Sequence, residues 1–267
     1  MNVQKGFATV NRGRLYYETA GEGKSIVLIH GNLCDFSMWN DQFEVFSQDY
    51  KVITYDMRGF GKSSLPIEGE VYSHHEDLKE LLVYLGVLEA HVLGLSAGCY
   101  VAINFVLTYP KMSTSLIATG PWVGGYDSRS VKEINLVFKP LPSITKEKGA
   151  EAANEHFWNA PFFKHTMKNP KVANQIRHMN YSCWHFLNED PHHYLDPPAV
   201  QQIDKLNIPT LIITAEYDIK ACREIADLLE RVIPNSKKVI IGDAGHMINM
   251  EKPDIFNDMV LRFLKKI

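Results

Sequence analysis

The sequence predicts an α/β fold built on a mostly parallel sheet of about eight strands, with helices on both faces. Two observations carry this prediction. Short β-branched strand patterns alternate with helical patterns, and the alternation is interrupted once, between a strand ending near Thr119 and one starting near Thr210. Strands that alternate with helices pair in parallel within one sheet. The 267 residues are also enough to bury a large core.

The first third of the chain is rich in strand patterns. Those over residues 6–10 and 14–20 flank turn residues at 11–13, which predicts an antiparallel hairpin at the start of the sheet. The runs Ser25–Ile29 and Lys51–Tyr55 are apolar on both faces. Such runs are typical of parallel strands that are covered by helices on each side.

Helical patterns separate the later strands. Leucines at 78, 81, 82 and 85 fall on one face of a helix predicted over 76–85. The remaining strand patterns cover 92–95, 116–119, 210–214 and 238–241, and the remaining helical patterns cover 97–107, 222–233 and a terminal helix starting near Pro253.

The segment 122–205 breaks the alternation, because it shows no strong strand pattern. It contains seven of the thirteen prolines, three of the four tryptophans and six of the eleven histidines, and it is too long for a plain loop. We therefore predict a helical cap over 122–205, inserted after the sixth strand, and a core formed by 1–121 and 206–267. The cap aromatics expected to close an apolar pocket include Trp158, Phe162, Phe163, Trp184 and Phe186.

Composition and charge argue against several functions. Apolar residues make up 45% and charged residues 22%, and the net charge is −3, so neither disorder nor binding to nucleic acid is expected. The longest apolar runs have strand length and the first residues lack a signal-peptide core, so we expect a cytoplasmic protein without a membrane span. The cysteines, expected as reduced thiols without zinc spacing, are Cys34, Cys99, Cys183 and Cys222.

Two patterns resemble ligand motifs but lack essential parts. Residues 59–63 end like a phosphate-binding loop, yet Asp56 stands where that motif needs its first glycine. We expect this segment to be a structural turn with Arg58 in a salt bridge. The adjacent pairs His74–His75 and His192–His193 lack further ligands at useful spacing, so we expect them at the surface rather than on a metal.

Residues 94–98 form a G-x-S-x-G sequence between a predicted strand and a predicted helix. In that context the motif places its serine on a sharp, strained turn that exposes the hydroxyl above the sheet, and flanking glycines let the backbone pass closely. A serine hydroxyl becomes an effective nucleophile only beside a base that an acid orients. We therefore predict Ser96 as a nucleophile.

The acid and the base are expected to follow the serine in that order along the chain. Asp218 comes just after the strand at 210–214, and His246 comes just after the next strand. Ligand sites of open α/β sheets lie at this carboxyl edge. Glu216 is set aside because it is still strand-like, and Asp243 because it is too close to His246 in the chain.

The residues His30, Gly31 and Asn32 directly follow a predicted parallel strand. We expect the backbone N–H groups of Asn32 and Ala97 to bind the oxyanion that forms during acyl transfer. His30 is expected to anchor this loop through hydrogen bonds rather than to act as a second base, and Cys34 could line the pocket.

Together these residues resemble the α/β-hydrolase fold family in its capped form. The matching positions are His30-Gly31 with Trp39, residues 56–63, residues 94–98, Asp218, and Gly245-His246 with residues 251–253. The resemblance covers the chain except for the cap and implies a serine hydrolase that needs no metal or organic cofactor. It departs from many members at Cys99, where they carry a second glycine, and we expect the small cysteine to be tolerated.

The resemblance also narrows the reaction. Dehalogenases and epoxide hydrolases of this family carry aspartate in place of Ser96, and carbon–carbon bond hydrolases usually carry asparagine in place of Leu95. We therefore expect the protein to hydrolyse small to medium carboxylic esters through an acyl-enzyme on Ser96. Its expected partners are these small-molecule substrates, and we expect a monomer or a homodimer. Two alternatives remain open: an enol-lactonase or other carbonyl hydrolase of the same fold, and a low-turnover signal receptor or partner-switching module that retains the triad.

Overall fold

A computed structural model describes residues 2–67, 69–179 and 193–267, and one eight-stranded sheet is its framework. The strands are β1 (Gln4–Val10), β2 (Gly13–Ala20), β3 (Ser25–Ile29), β4 (Lys51–Tyr55), β5 (Ala90–Leu95), β6 (Ser113–Thr119), β7 (Thr210–Ala215) and β8 (Ser236–Ile241). Their spatial order is β1-β2-β4-β3-β5-β6-β7-β8. Strand β2 is antiparallel to β1 and β4, and the other neighbours are parallel. The predicted fold class is confirmed.

Helices cover the sheet, and further helices lie among the described residues between β6 and β7. They are α1 (Asn40–Phe46), α2 (His74–Tyr84), α3 (Ala97–Thr108), α4 (Arg129–Phe138), α5 (Leu141–Lys148), α6 (Ala150–Trp158), α7 (Pro170–Arg177), α8 (Lys220–Val232), α9 (Ile248–Glu251) and α10 (Pro253–Leu264). The described residues between β6 and β7 contain α4 to α7 and add no strand to the sheet. Trp184 and Phe186 of the predicted cap lie outside the described residues, as do Cys183 and His192.

The hairpin turn is shorter than predicted. Val10 pairs with Gly13, so the turn consists of Asn11 and Arg12 alone. Their φ angles of 41° and 63° are both positive, as a two-residue type I′ turn requires. Asparagine tolerates that conformation well, and its side chain also donates a hydrogen bond of 3.0 Å to Asp77 Oδ1.

Strands β5 and β6 begin earlier than the apolar pattern predicts. The added residues include polar side chains, which weakens a prediction based on apolar runs. His91 of β5 and Ser115 of β6 satisfy each other through a buried contact of 2.8 Å between Nδ1 and Oγ. A polar pair across neighbouring strands can therefore extend the sheet where hydrophobic side chains alone would not.

Arg58 and Asp77 form a buried ion pair that ties the segment after β4 to helix α2. Nε of Arg58 donates to one carboxylate oxygen at 2.7 Å and Nη2 donates to the other at 2.8 Å, and the side chains are only 3% and 1% exposed. Burial alone would lower the pKa of Arg58, but the hydrogen bonds and charge of Asp77 raise it overall. The expected salt bridge of Arg58 is thus present.

One expectation about histidines is wrong. His75 is buried, at 3% exposure, instead of lying at the surface. It shares a face of α2 with Leu78 and Leu82, three and seven residues later, and that face packs inward. Burial lowers the pKa of His75, so its neutral form is favoured there.

Cys34, Cys99 and Cys222 are free and buried. Among the described helices, none combines the length and the apolar character that crossing a bilayer demands.

Removal of one partner of the Arg58–Asp77 pair should strongly destabilise the protein. In Asp77→Ala the guanidinium remains buried without its counter-charge, so the free energy of unfolding should fall by about 3–5 kcal/mol. Urea unfolding followed by circular dichroism measures this change. Glu133→Ala is the matched control, because it breaks the exposed Arg129–Glu133 pair and should cost about 0.5 kcal/mol or less. Equal losses in the two variants would contradict this account of the pair.

Candidate active site

Ser96 occupies a strained turn between β5 and α3, with φ at 58° and ψ at −115°. The two flanking glycines make this turn possible. A Cβ on Gly94 would lie 2.2 Å from the carbonyl oxygen of Gly98, and a Cβ on Gly98 would lie 2.1 Å from the carbonyl oxygen of Ile29. No other residue fits at either position without displacing backbone. The turn leaves the Ser96 side chain half-buried on the lining of a cavity.

Asp218 and His246 meet at the same edge of the sheet. His246 Nδ1 donates to Asp218 Oδ1 over 2.6 Å, and both side chains are buried. The carboxylate also accepts hydrogen bonds from Ile219 N at 2.7 Å and from Thr214 Oγ1 at 2.9 Å. With its proton held on Nδ1, the neutral imidazole has Nε2 free to accept one.

Gly120, which the sequence analysis did not single out, lies against this pair. Its φ is 46°, and a Cβ there would lie 3.0 Å from His246 Cε1 and 3.5 Å from Asp218 Oδ2. A side chain at this position would press on the imidazole and the carboxylate at once. Its location directly after β6, at the same edge as Ser96, was the available signal.

The loop after β3 is anchored by His30. The ring accepts a hydrogen bond at Nε2 from Met57 N at 2.9 Å, and Nδ1 lies 2.8 Å from the carbonyl oxygen of Gly31. Nδ1 therefore carries the proton and donates it to that carbonyl. Burial lowers the pKa of His30 to about 4, which keeps the ring neutral. This is the anchoring role expected for His30.

Two amides are available beside Ser96. Ala97 is the first residue of α3, so its N–H has no partner within the helix. Neither this N–H nor that of Asn32 donates to an acceptor among the residues that the structure describes. Asn32, Ala97 and Ser96 line the same cavity.

The loop that carries His246 is held by two side chains that the sequence analysis did not assign. Glu251 accepts hydrogen bonds from Gly245 N at 2.8 Å and Met247 N at 3.1 Å. Thr166, between β6 and β7, donates to Glu251 Oε1 at 2.7 Å and accepts from His246 N at 3.1 Å. The position of His246 therefore depends on Thr166. The two residues are 80 positions apart along the chain, so no local pattern reveals this contact.

A cavity of about 240 Å³ opens above Ser96 and His246. Its lining includes six aromatic side chains: Trp122, Phe138, Phe157, Trp158, Phe162 and Phe163. Phe163 is central to this group, because its ring centroid lies 4.7 Å from that of Trp158 and 5.7 Å from that of His246. Cys34 also lines the cavity. Aromatic walls of this kind suit an apolar ligand.

Cys222 lies close enough to Asp218 and His246 for the three to resemble a metal site. One possible ligand atom from each lies within 4.8 Å of the others. However, burial and then the charge of Asp218 raise the pKa of the Cys222 thiol well above its usual range. A thiol must lose its proton to bind a metal, and Nδ1 of His246 is already committed to Asp218. In this arrangement His246 and Asp218 form a hydrogen-bonded pair, with the protonated thiol of Cys222 beside it.

Comparison with known proteins places this geometry in context. A sequence model of the alpha/beta hydrolase fold matches residues 24–253. A 2-hydroxy-6-oxononadienedioate/2-hydroxy-6-oxononatrienedioate hydrolase from Paraburkholderia phymatum is 26% identical, over 94% of this chain and 91% of its own.

Solved structures agree over nearly the full length. A thermophilic esterase from Thermogutta terrifontis superimposes with a TM-score of 0.80 and 26% identity, covering 98% of each chain. The enol-lactonase from Burkholderia xenovorans LB400 gives a TM-score of 0.82 at 24% identity, covering 97% of this chain and 100% of its own, a likeness of fold alone.

The contact between Thr166 and the His246 loop can be tested without knowledge of a substrate. Thr166→Val removes the acceptor of the His246 N–H. Because a hydrogen bond contributes about 1 kcal/mol to the stability of the closed loop, the rate of amide exchange in residues 243–247 should rise about fivefold. Hydrogen exchange of peptides read by mass spectrometry measures this. Thr145→Val is the control, because that hydroxyl donates to Leu141 O within α5. Unchanged exchange in Thr166→Val would show that the contact does not hold the loop.

Proposed function

The chain belongs to the α/β-hydrolase fold family, and from this premise we propose that it hydrolyses small to medium carboxylic esters through an acyl-enzyme on Ser96. One observation carries the proposal. The Asp218–His246 hydrogen bond of 2.6 Å lies at a cavity that also presents Ser96 and the two available amides. These are the parts that acyl transfer needs: a nucleophile, an oriented base and an oxyanion site.

In the acylation step Ser96 Oγ attacks the ester carbonyl carbon. His246 Nε2 takes the hydroxyl proton, and Asp218 stabilises the imidazolium through the bond at Nδ1. The negative charge that develops on the carbonyl oxygen is bound by the N–H groups of Asn32 and Ala97. When the tetrahedral intermediate collapses, the carbon–oxygen bond to the alcohol breaks, and His246 gives its proton to that alcohol.

Deacylation repeats these steps with water as the nucleophile. His246 Nε2 accepts a proton from water, whose oxygen attacks the acyl carbon, and the same amides bind the oxyanion. Collapse of the second intermediate breaks the bond to Ser96, and the histidine returns the proton to Ser96 Oγ. The products are a carboxylic acid and an alcohol.

Other reactions of the family fit less well. The serine at position 96 argues against the chemistry that uses an aspartate nucleophile, and Leu95 stands where carbon–carbon bond hydrolases usually have asparagine. The esterase from T. terrifontis, 26% identical over 98% of this chain, supports ester cleavage. A lactone is a cyclic ester and would pass through the same steps.

A panel of p-nitrophenyl esters from acetate to palmitate, together with a set of lactones, tests the proposal. We expect each added methylene to raise kcat/KM while the cavity has room, by a factor that corresponds to at most about 0.8 kcal/mol of binding free energy. With longer chains kcat/KM should fall. Ser96→Ala should lower kcat about 10⁴-fold or more at every length, because the nucleophile is lost. Release of p-nitrophenol measures both.

The panel also separates the alternatives. A maximum at palmitate would contradict a cavity that is limited to about 240 Å³. Turnover of lactones alone would establish lactone hydrolysis instead. A chain that turns over neither class but binds such ligands would be a receptor, and the proposed function would be wrong.

The acid is tested by Asp218→Asn. The amide cannot hold the proton of His246 on Nδ1 as a carboxylate does, so kcat for the best ester should fall about 10⁴-fold. Asp243→Asn is the matched control, because Asp243 lies on the loop of His246, is 79% exposed and pairs with Lys252. That variant should keep its activity. Near-normal rates in Asp218→Asn would show that another carboxylate orients His246.

A further inference from the structure

We propose that this site accepts only uncharged acyl groups of up to about phenyl size, and that it rejects an acyl group bearing its own carboxylate. The inference rests on the proposed ester hydrolysis and names the class of substrate. It follows from the charge and the size of the cavity above Ser96.

The lining of the cavity carries no formal charge apart from what His246 can acquire. Among the residues that the structure describes, the lining contains no aspartate, glutamate, lysine or arginine. Its polar groups are the side chains of Asn32, Ser96, Asn135 and His246, the thiols of Cys34 and Cys222, and the uncharged indole N–H groups of Trp122 and Trp158. Asn32 uses its side-chain oxygen to accept from Leu33 N at 3.1 Å, and the proposed reaction uses Ser96 and His246. The described walls therefore offer neutral hydrogen-bond donors to a second anionic group, but no counter-charge.

The sequence leaves few other sources of positive charge. Residues 180–192, which lie outside the described part, contain neither lysine nor arginine, but they do contain Glu189 and Asp190. Arg177 is the last residue of α7, and it does not belong to the cavity lining. A guanidinium or ammonium group, the usual partner of a substrate carboxylate, is thus missing from the described walls of the cavity.

A carboxylate brought into such a cavity would lose its water without gaining a counter-charge. An ion transferred to apolar surroundings without a partner is disfavoured far more than the same group in neutral form. An uncharged acyl group meets none of these costs and gains contact with the apolar walls.

The volume sets the upper size. An apolar protein cavity of about 150 Å³ is large enough to bind benzene. The cavity of about 240 Å³ therefore has room for the ester group beside Ser96 and for either a short alkyl chain or a phenyl ring with one small substituent.

Three rigid esters of the same alcohol test the charge rule. They are the 4-nitrophenyl esters of benzoic acid, of 4-nitrobenzoic acid and of terephthalic acid, the last with its second carboxylate free and ionised at pH 7.5. The nitro group has nearly the shape of a carboxylate without its net charge. Each kcat/KM is divided by the rate constant of the same ester with hydroxide, which removes differences in intrinsic reactivity.

We expect the corrected kcat/KM of the terephthalate ester to be at least about 100-fold below those of both neutral esters. Values for all three within about fivefold would overturn the proposal. A 4-nitrobenzoate ester as slow as the terephthalate ester would overturn it as well, because size and not charge would then explain the rejection.

A paired set of variants tests whether the cavity wall is responsible. Asn135→Arg adds a cation to the lining and should raise the ratio of the corrected kcat/KM values, terephthalate ester over benzoate ester, by about tenfold. Leu136→Arg adds the same charge one residue along α4, at a side chain that is 68% exposed and outside the lining, and should leave the ratio unchanged. Equal responses in the two variants would mean that overall charge, not the cavity, sets the preference.

Binding distinguishes failure of this proposal from failure of the proposed function. If wild type hydrolyses none of the esters, ester hydrolysis is wrong, and the charge rule is then read from ligand binding. Calorimetry with Ser96→Ala compares benzamide and 4-carbamoylbenzoate. Binding of benzamide at least tenfold tighter than that of 4-carbamoylbenzoate would uphold the charge rule. Equal affinities would overturn the charge rule as well as the ester hydrolysis that the wild type failed to show.

Discussion

The candidate site depends on how closely the start of α3 approaches β5 and β3. A Cβ at Gly94 or Gly98 would lie within 2.2 Å of a carbonyl oxygen, so the chain can take this path only with glycine at both positions. The approach holds Ser96 at a φ of 58°, a conformation that few residues adopt without strain. It also brings the loop after β3 alongside, with the Cβ position of Gly31 3.7 Å from Ser96 Cβ. The proposed nucleophile and both proposed oxyanion amides therefore share one constraint.

The loops around this turn are held by buried acceptors that bind backbone N–H groups. His30 accepts from Met57 N, Asp56 accepts from Phe36 N and Lys62 N, and Glu251 accepts from Gly245 N and Met247 N. An amide buried without a partner would be costly, so each acceptor both stabilises its loop and restricts it to one conformation. Such loops need little rearrangement when charge develops on a substrate, and preorganised donors of this kind contribute most to transition-state stabilisation.

Local patterns in the sequence were enough to predict the eight-stranded α/β fold and to select Asp218 and His246, which the structure brings together. Each of these residues follows its own strand, and parallel strands end at one edge. What the patterns missed depends on distant packing. Thr166 acts on His246 across eighty residues, and Gly120 is constrained only by side chains from two other loops. His75 lies in the first turn of α2, one residue before the helix predicted over 76–85, so the leucine pattern did not include it in the inward face.

The central claim is that Ser96 is a nucleophile activated by His246 and that Asp218 orients this base. The most direct measurement treats the protein with a fluorophosphonate, which bonds covalently to an activated serine, and locates the adduct by peptide mass spectrometry. The account predicts one adduct per chain, on Ser96, and labelling at least about 10³-fold slower in His246→Ala, because the weakly acidic hydroxyl would lack its base. An adduct on another residue, or equal labelling rates with and without His246, would contradict it.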